Sequence, residues 1–265
     1  MAQSAHHKLP SITDTFHRAL DIFVNHTGKI VGTSFIPQVI AFFLISSFSF
    51  VVLTGLQGLA DGESFFQVSN IYFLIASAIA AMFFVIQGIG AVATTYMVVH
   101  HERVSITHAF TRSMKFYKAF LLQFAFAIII TLVAIVVGYF FVLLAGVIMG
   151  NFSLELYADA LSLLTVIPTI TGGGAATLVA FAGFLIVDEA EHGGFASVKE
   201  SIKMVRPFFW PLFFRIFIFG VLSTVLTLLF LLVPYLGRLL TLLTVIPFAV
   251  VYLYVLYTEV LKASK

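Results

Sequence analysis

An all-α, polytopic membrane protein with six transmembrane helices is the fold class that this sequence predicts, on three observations. Of its 265 residues, 61% are hydrophobic and only 10% charged, and the mean hydropathy is +1.10. An ordinary globular domain carries about 25% charged residues, so lipid must be the solvent for much of this chain's surface. Second, six charge-free intervals follow one another, at residues 30–60, 64–101, 119–154, 160–187, 216–235 and 239–258, the fifth reaching back to Phe208 if Arg215 is tolerated. Each supplies the roughly 20 apolar residues that cross a bilayer as helix. The runs are continuously apolar rather than alternating, which selects helices over a barrel.

The third observation is where the bases lie. Lys8, Arg18 and Lys29 precede the first span, Arg103, Arg112, Lys115 and Lys118 fill the second loop, Lys199, Lys203 and Arg206 the fourth, and Lys262 and Lys265 the tail. Those segments hold all but two of the 14 bases, whereas the opposite loops carry Asp61, Glu63, Glu155 and Asp159 against Arg238 alone. Positively charged loops stay in the cytoplasm. The expectation is therefore a multi-pass protein of the cytoplasmic (inner) membrane with both termini in the cytoplasm; an odd number of spans would put one basic terminus on the wrong side.

Along the chain, residues 1–9 are polar and lack an apolar core followed by a small-residue cleavage pattern, so no cleavable signal peptide is expected. Phe16, Ala19, Leu20 and Phe23, flanked by Arg18, form the apolar stripe of a first surface helix before span 1, in which Pro37 marks a kink or boundary. Span 2 carries Gln87, Thr94 and Thr95 and span 3 Gln123, uncharged groups suited to bonding across helices. Residues 109–124 (AFTRSMKFYKAFLLQF) align with residues 197–212 (SVKESIKMVRPFFWPL), placing Lys115 opposite Lys203 and Lys118 opposite Arg206. In the latter stretch Phe195, Val198, Ile202 and Val205 recur at helical spacing with Lys199, Lys203 and Arg206 on the other side, and Pro207 then breaks the helix. A basic amphipathic helix of this kind lies in the membrane interface, apolar face in the acyl boundary and cations among anionic head groups. The pattern predicts a threefold repeat of surface helix plus helical hairpin within one integral membrane domain, with units of roughly residues 10–100, 101–188 and 189–265.

Span 4 contains Pro168 and then Gly172, Gly173 and Gly174, which predicts a kinked or locally unwound helix. Two uses are open for it: close packing through small residues, the commoner one, or an exposed mid-membrane backbone on a transport path with Gln87 and Arg215. Arg215 is the one charge inside a predicted span. Five residues after Trp210 it lies about 7–8 Å beyond the interface, within reach of a snorkelling guanidinium, so head-group contact is favoured over a buried transport role. Pro234 and Pro247 flank the last hairpin.

Several chemistries are excluded or weakly supported. With no cysteine, disulfides, thiol catalysis and cysteine-based metal sites are ruled out. His100, His101, Glu102 and His108 lack metal-ligand spacing, so no metal site is expected. No paired carboxylates, nucleophile motif or phosphate loop is present, so no catalytic residue, enzyme activity or cofactor is expected, and the basic loops are too small for nucleic acid.

Residues 184–213 (FLIVDEAEHGGFASVKESIKMVRPFFWPLF) resemble a pattern in bacterial six-span proteins that includes the membrane domain attached to some glycerophosphodiester phosphodiesterases. Asp188 or Glu189, Gly193 and Gly194, Ser201, Lys203 and Phe209-Trp210 match it. The resemblance covers about thirty residues, and it implies a cytoplasmic-membrane protein of that architecture with no activity to carry over, since no catalytic domain is appended. The leading expectation is a non-enzymatic membrane protein that engages anionic lipid or a partner membrane protein through Arg112, Lys115, Lys118, Lys199, Lys203, Arg206, Trp210 and Arg215. The alternative is a small transporter or channel with a site near the broken fourth span.

Overall fold

The computed structural model describes residues 9–33, 88–100, 114–149, 166–188, 193–233 and 236–264, with isolated positions 35, 105, 108 and 111. Among the described residues all regular structure is helical. Helix α1 covers residues 12–33 and is capped by Ser11, whose Oγ accepts the Asp14 N–H at 3.0 Å. It is followed by α2 (Gly88–Val99), α3 (Tyr117–Met149), α4 (Val166–Val179), α5 (Ala182–Asp188) and α6 (Gly194–Val205). A 3₁₀ turn at Arg206–Phe208 leads into α7 (Phe209–Leu231), and α8 (Leu236–Leu240) passes through a π turn at Thr241–Val245 into α9 (Ile246–Ser264).

Four helical stretches are long and apolar enough to cross a membrane: Tyr117–Val142, Val166–Asp188, Gly194–Leu231 and Leu243–Ser264. They correspond to the third to sixth expected spans. The first two, at 30–60 and 64–101, fall mostly outside the described residues, which include only the end of α1 and α2.

The chain forms two compact units, one from Met1–Arg18, Lys118–Leu226 and Tyr252–Lys265, the other from Ala19–Tyr117 and Thr227–Val251. In the first, Val179, Ala182 and Val198 form a buried cluster against Phe126, Ala127 and Ile130 of α3. Phe181 and Phe184 meet Tyr257 with ring centroids 5.8 and 5.6 Å apart, and Phe219 stacks on Tyr252 at 4.3 Å. By contrast, α3 is apolar all round and exposes Leu121, Leu122, Ile129, Val133, Val136 and Phe140, which is the composition of a helix solvated by lipid. In the second unit the Thr94 hydroxyl donates to Thr33 Oγ1 at 2.9 Å across α1 and α2, the interhelical bond expected of Thr94. There the π turn ends two residues before Pro247, which has no N–H to donate to the Leu243 carbonyl.

Two expected interruptions lie elsewhere. Span 4 runs helically through Gly172–Gly174 and breaks instead at Ala180–Phe181, between α4 and α5. Pro168 lies within the described part of α4, which stays helical through it. The glycines are packing contacts: a Cβ on Gly138 of α3 would stand 2.6 Å from Thr171 Oγ1 and 2.7 Å from Pro168 Cα, and one on Gly172 2.7 Å from Ile135 Cγ1. Pro207, for its part, does not end the surface helix. The 3₁₀ turn absorbs it and the chain stays helical over all 38 residues of Gly194–Leu231.

Candidate functional site

Helix α6 begins where the chain has no room for a side chain. A Cβ on Gly194 would collide with the Ala119 carbonyl oxygen and come within 2.7 Å of the Gln123 nitrogen, so this glycine lets α6 start directly against α3. From there α6 lies against α4 and α5 with Ser197, Val198, Ser201 and Val205 buried. The Ser201 hydroxyl donates to the Leu178 carbonyl at 2.8 Å and accepts the Phe181 N–H at 3.3 Å. Those are backbone groups left over by the α4–α5 break, so a side chain of α6 completes a broken span.

The apolar stripe of α6 is therefore spent on protein rather than on the acyl boundary, which corrects the expectation for Val198 and Val205. Phe195, expected on that stripe, is 61% exposed and shares its face with Lys199, Lys203 and Arg206. Its ring leans on Phe126, centroids 5.2 Å apart. Lys203 is tied to Glu200 at 2.9 Å, while Lys199 and Arg206 form no ion pair among the described residues. Trp210, 62% exposed at the start of α7, packs edge-on with Phe209 and Phe213 and stacks over Phe214. The result is an outward face of three bases and two aromatic rings.

Arg215 goes the other way. Depth from Trp210 suggested snorkelling, but five residues on a helix turn a side chain by about 140°, away from the tryptophan's outward face. The buried residues of α7 are Leu212, Arg215 and Phe219, an inward stripe. The Arg215 guanidinium lies 3.4 Å from Glu259 Oε2 of α9, donates to Thr15 Oγ1 at 3.3 Å and donates to the Pro10 carbonyl. Glu259 is also within 3.5 Å of Arg18 Nη1, whose side chain is 48% exposed. The Thr15 hydroxyl stands 2.9 and 3.1 Å from the two Glu259 oxygens and 3.0 Å from the Ser11 carbonyl, and its single proton serves one acceptor at a time. This clasp fastens the start of α1 to α7 and α9. Of the expected α1 stripe, Ala19 is buried and Phe16 and Phe23 are half-buried, whereas Leu20 is exposed.

The remaining expected residues are dispersed. Lys115 and Lys118 are exposed, and Arg112 and Gln87 lie outside the described residues. Gly173 and Gly174 face Phe213 Cε2 at 3.6 Å and Phe209 Cζ at 3.4 Å, measured from the Cβ each lacks. Asp188 accepts the Tyr257 hydroxyl at 2.7 Å. His100 Nδ1 is 2.9 Å from the Tyr96 carbonyl, His101 and Glu102 lie outside the described residues, and no group of three or more metal-ligating side chains occurs among the described residues.

Sequence reasoning missed Glu259 and Thr15. Glu259 carried a usable signal: it is the only acid after Glu200, on the last span, one residue beyond the charge-free interval, while Arg215 is the only base between Arg206 and Arg238. Two isolated opposite charges on consecutive apolar helices have reason to meet. Thr15 carried none. Comparison of the chain with protein-family models, with curated proteins and with solved structures found no match.

Proposed function

We propose that this chain is a non-enzymatic integral membrane protein of the bacterial cytoplasmic membrane that holds anionic phospholipid on the outward face of α6. In this reading it crosses the bilayer six times with both termini in the cytoplasm, as one domain of three repeated units of surface helix plus helical hairpin. Its architecture is that of the membrane domain attached to some glycerophosphodiester phosphodiesterases.

The observation that carries the lipid reading is the division of α6 into a buried face of Ser197, Val198, Ser201 and Val205 and an exposed one of Phe195, Lys199, Lys203 and Arg206, continued by Trp210. The 23 residues of α7 rise about 35 Å, enough for a hydrocarbon core of about 30 Å. With Trp210 at the interface, where aromatic residues concentrate, α6 falls at head-group level. Each base held there is worth about 1 kcal/mol against an anionic leaflet. The transport alternative draws less support, because Gly172, Gly173 and Gly174 face Ile135, Phe213 and Phe209.

The test is anionic-lipid retention by protein purified in mild detergent. Charge reversal at Lys199, Lys203 and Arg206 together is expected to lower it strongly, and equal retention by a folded, correctly oriented variant contradicts the reading. An acidic partner protein on the same face would show as loss of a co-purifying protein with lipid retention unchanged. Orientation is measured on the same preparations: the chain has no cysteine, so single cysteines replacing Glu155 and Lys199 are expected to label from opposite sides, and labelling from one side overturns the six-span topology.

A further inference from the structure

We propose that the outward face of α6 is selective for a lipid with two phosphodiesters joined by a short bridge over lipids with one. The inference rests on the lipid reading above and adds the class of head group. Glu200 holds Lys203 at 2.9 Å, which leaves Lys199 and Arg206 as the bases of this face with no ion pair among the described residues. They are seven residues apart. Two turns of helix bring position i+7 back to within about 20° of position i and about 10.5 Å along the axis, so both cations leave α6 on one side, in line, one above the other.

Between them lie Lys203, whose charge Glu200 offsets at 2.9 Å, and half-buried Ile202, and Phe195 stands 61% exposed on the same side. Two cations in line beside the apolar Phe195 and Ile202, with Trp210 just beyond Arg206, match a ligand that has two anions at its polar end and acyl chains beneath them. Lys supplies a point charge and Arg a planar fork, and both are ordinary phosphodiester donors. Linking the two phosphates makes the second contact intramolecular, so its effective concentration no longer depends on free lipid. A one-phosphate lipid gains nothing from the spacing, because two separate molecules must be recruited.

The test uses the full chain in nanodiscs of zwitterionic phospholipid doped either with a two-phosphate lipid or, at equal phosphate, with phosphatidylglycerol, and counts bound lipid by native mass spectrometry. The two-phosphate lipid is expected to bind at least about 10-fold more tightly per phosphate, a modest share of the gain that linkage can give. Lys199→Gln and Arg206→Gln should each reduce that ratio to near one, Lys203→Gln should leave it intact, and Lys199→Arg should restore it. Equal per-phosphate binding that still weakens in Lys199→Gln and Arg206→Gln overturns the two-phosphate inference and leaves the lipid reading standing. Binding of both lipids that no substitution at Lys199, Lys203 or Arg206 changes overturns both. The conservative Lys199→Arg variant keeps the outcome decisive if the neutral variants are poorly folded.

Discussion

Arg206 and Arg215 are nine residues apart on one continuous helical stretch, yet the protein uses them in opposite directions. Arg206 stands exposed with Lys199, Phe195 and Trp210 on the outward face. Arg215 is 6% exposed and bound up with Glu259, Thr15 and the Pro10 carbonyl. What separates them is azimuth rather than depth. A cation on the inward stripe of α7 must be compensated by the protein itself, because little water reaches it, whereas a cation on the outward face of α6 is left for whatever the membrane brings. The first fastens the N-terminal helix, and the second belongs to the face proposed to hold lipid.

The largest effects should come from breaking the inward arrangement. Arg215→Leu leaves Glu259 buried beside a half-exposed Arg18 and is expected to cost about 3–5 kcal/mol, read as a lowered thermal midpoint in detergent. The double variant Arg215→Leu/Glu259→Leu should recover part of that loss, because no charge then remains buried unpaired. A double variant as unstable as the sum of the singles would show that the two groups do not act as a pair.

Next in size are substitutions that set packed positions against open ones. Ser201→Ala strips the partner from the Leu178 carbonyl and the Phe181 N–H and should cost about 1–3 kcal/mol, with faster hydrogen exchange at the Phe181 amide and no change in lipid association. Gly138→Ala should cost a similar amount, about 1–3 kcal/mol, from overpacking against Thr171 and Pro168. Gly220→Ala, with nothing within 4 Å of the new methyl, should be neutral or stabilising. If both glycine variants behave alike, the α3–α4 contact is not tight.

The outward face should respond in binding alone. Lys199→Gln or Arg206→Gln is expected to weaken anionic-lipid association roughly 5-fold each, the equivalent of about 1 kcal/mol per base. Stability should stay within about 0.5 kcal/mol of wild type, as for surface changes generally. The smallest effect belongs to Lys203→Gln, because Glu200 already offsets that charge.

Much of this division was legible in the sequence as chemistry and little of it as direction. Apolar run lengths placed the four described spans, and helical spacing put Lys199, Lys203 and Arg206 on one side of α6. Spacing left Phe195 on the wrong face, because an aromatic ring at the border of an amphipathic helix belongs to neither side until its neighbours are known. Depth counted from Trp210 placed Arg215 near the interface but said nothing about which way it points. The buried stripe through Leu212, Arg215 and Phe219 settles that, and its partner Glu259 lies 44 residues further on. The break at Ala180–Phe181 carried no proline or glycine to announce it, since Ser201 of another helix is what satisfies it.

The most direct test measures anionic-lipid affinity and thermal midpoint side by side, in the same nanodiscs, for Lys199→Gln/Arg206→Gln and for Arg215→Leu/Glu259→Leu. The outward pair is expected to lose lipid affinity at an unchanged midpoint, and the inward pair to shift the midpoint at unchanged affinity. A folded inward variant that loses lipid while the outward variant keeps it would contradict the account and assign head-group contact to Arg215.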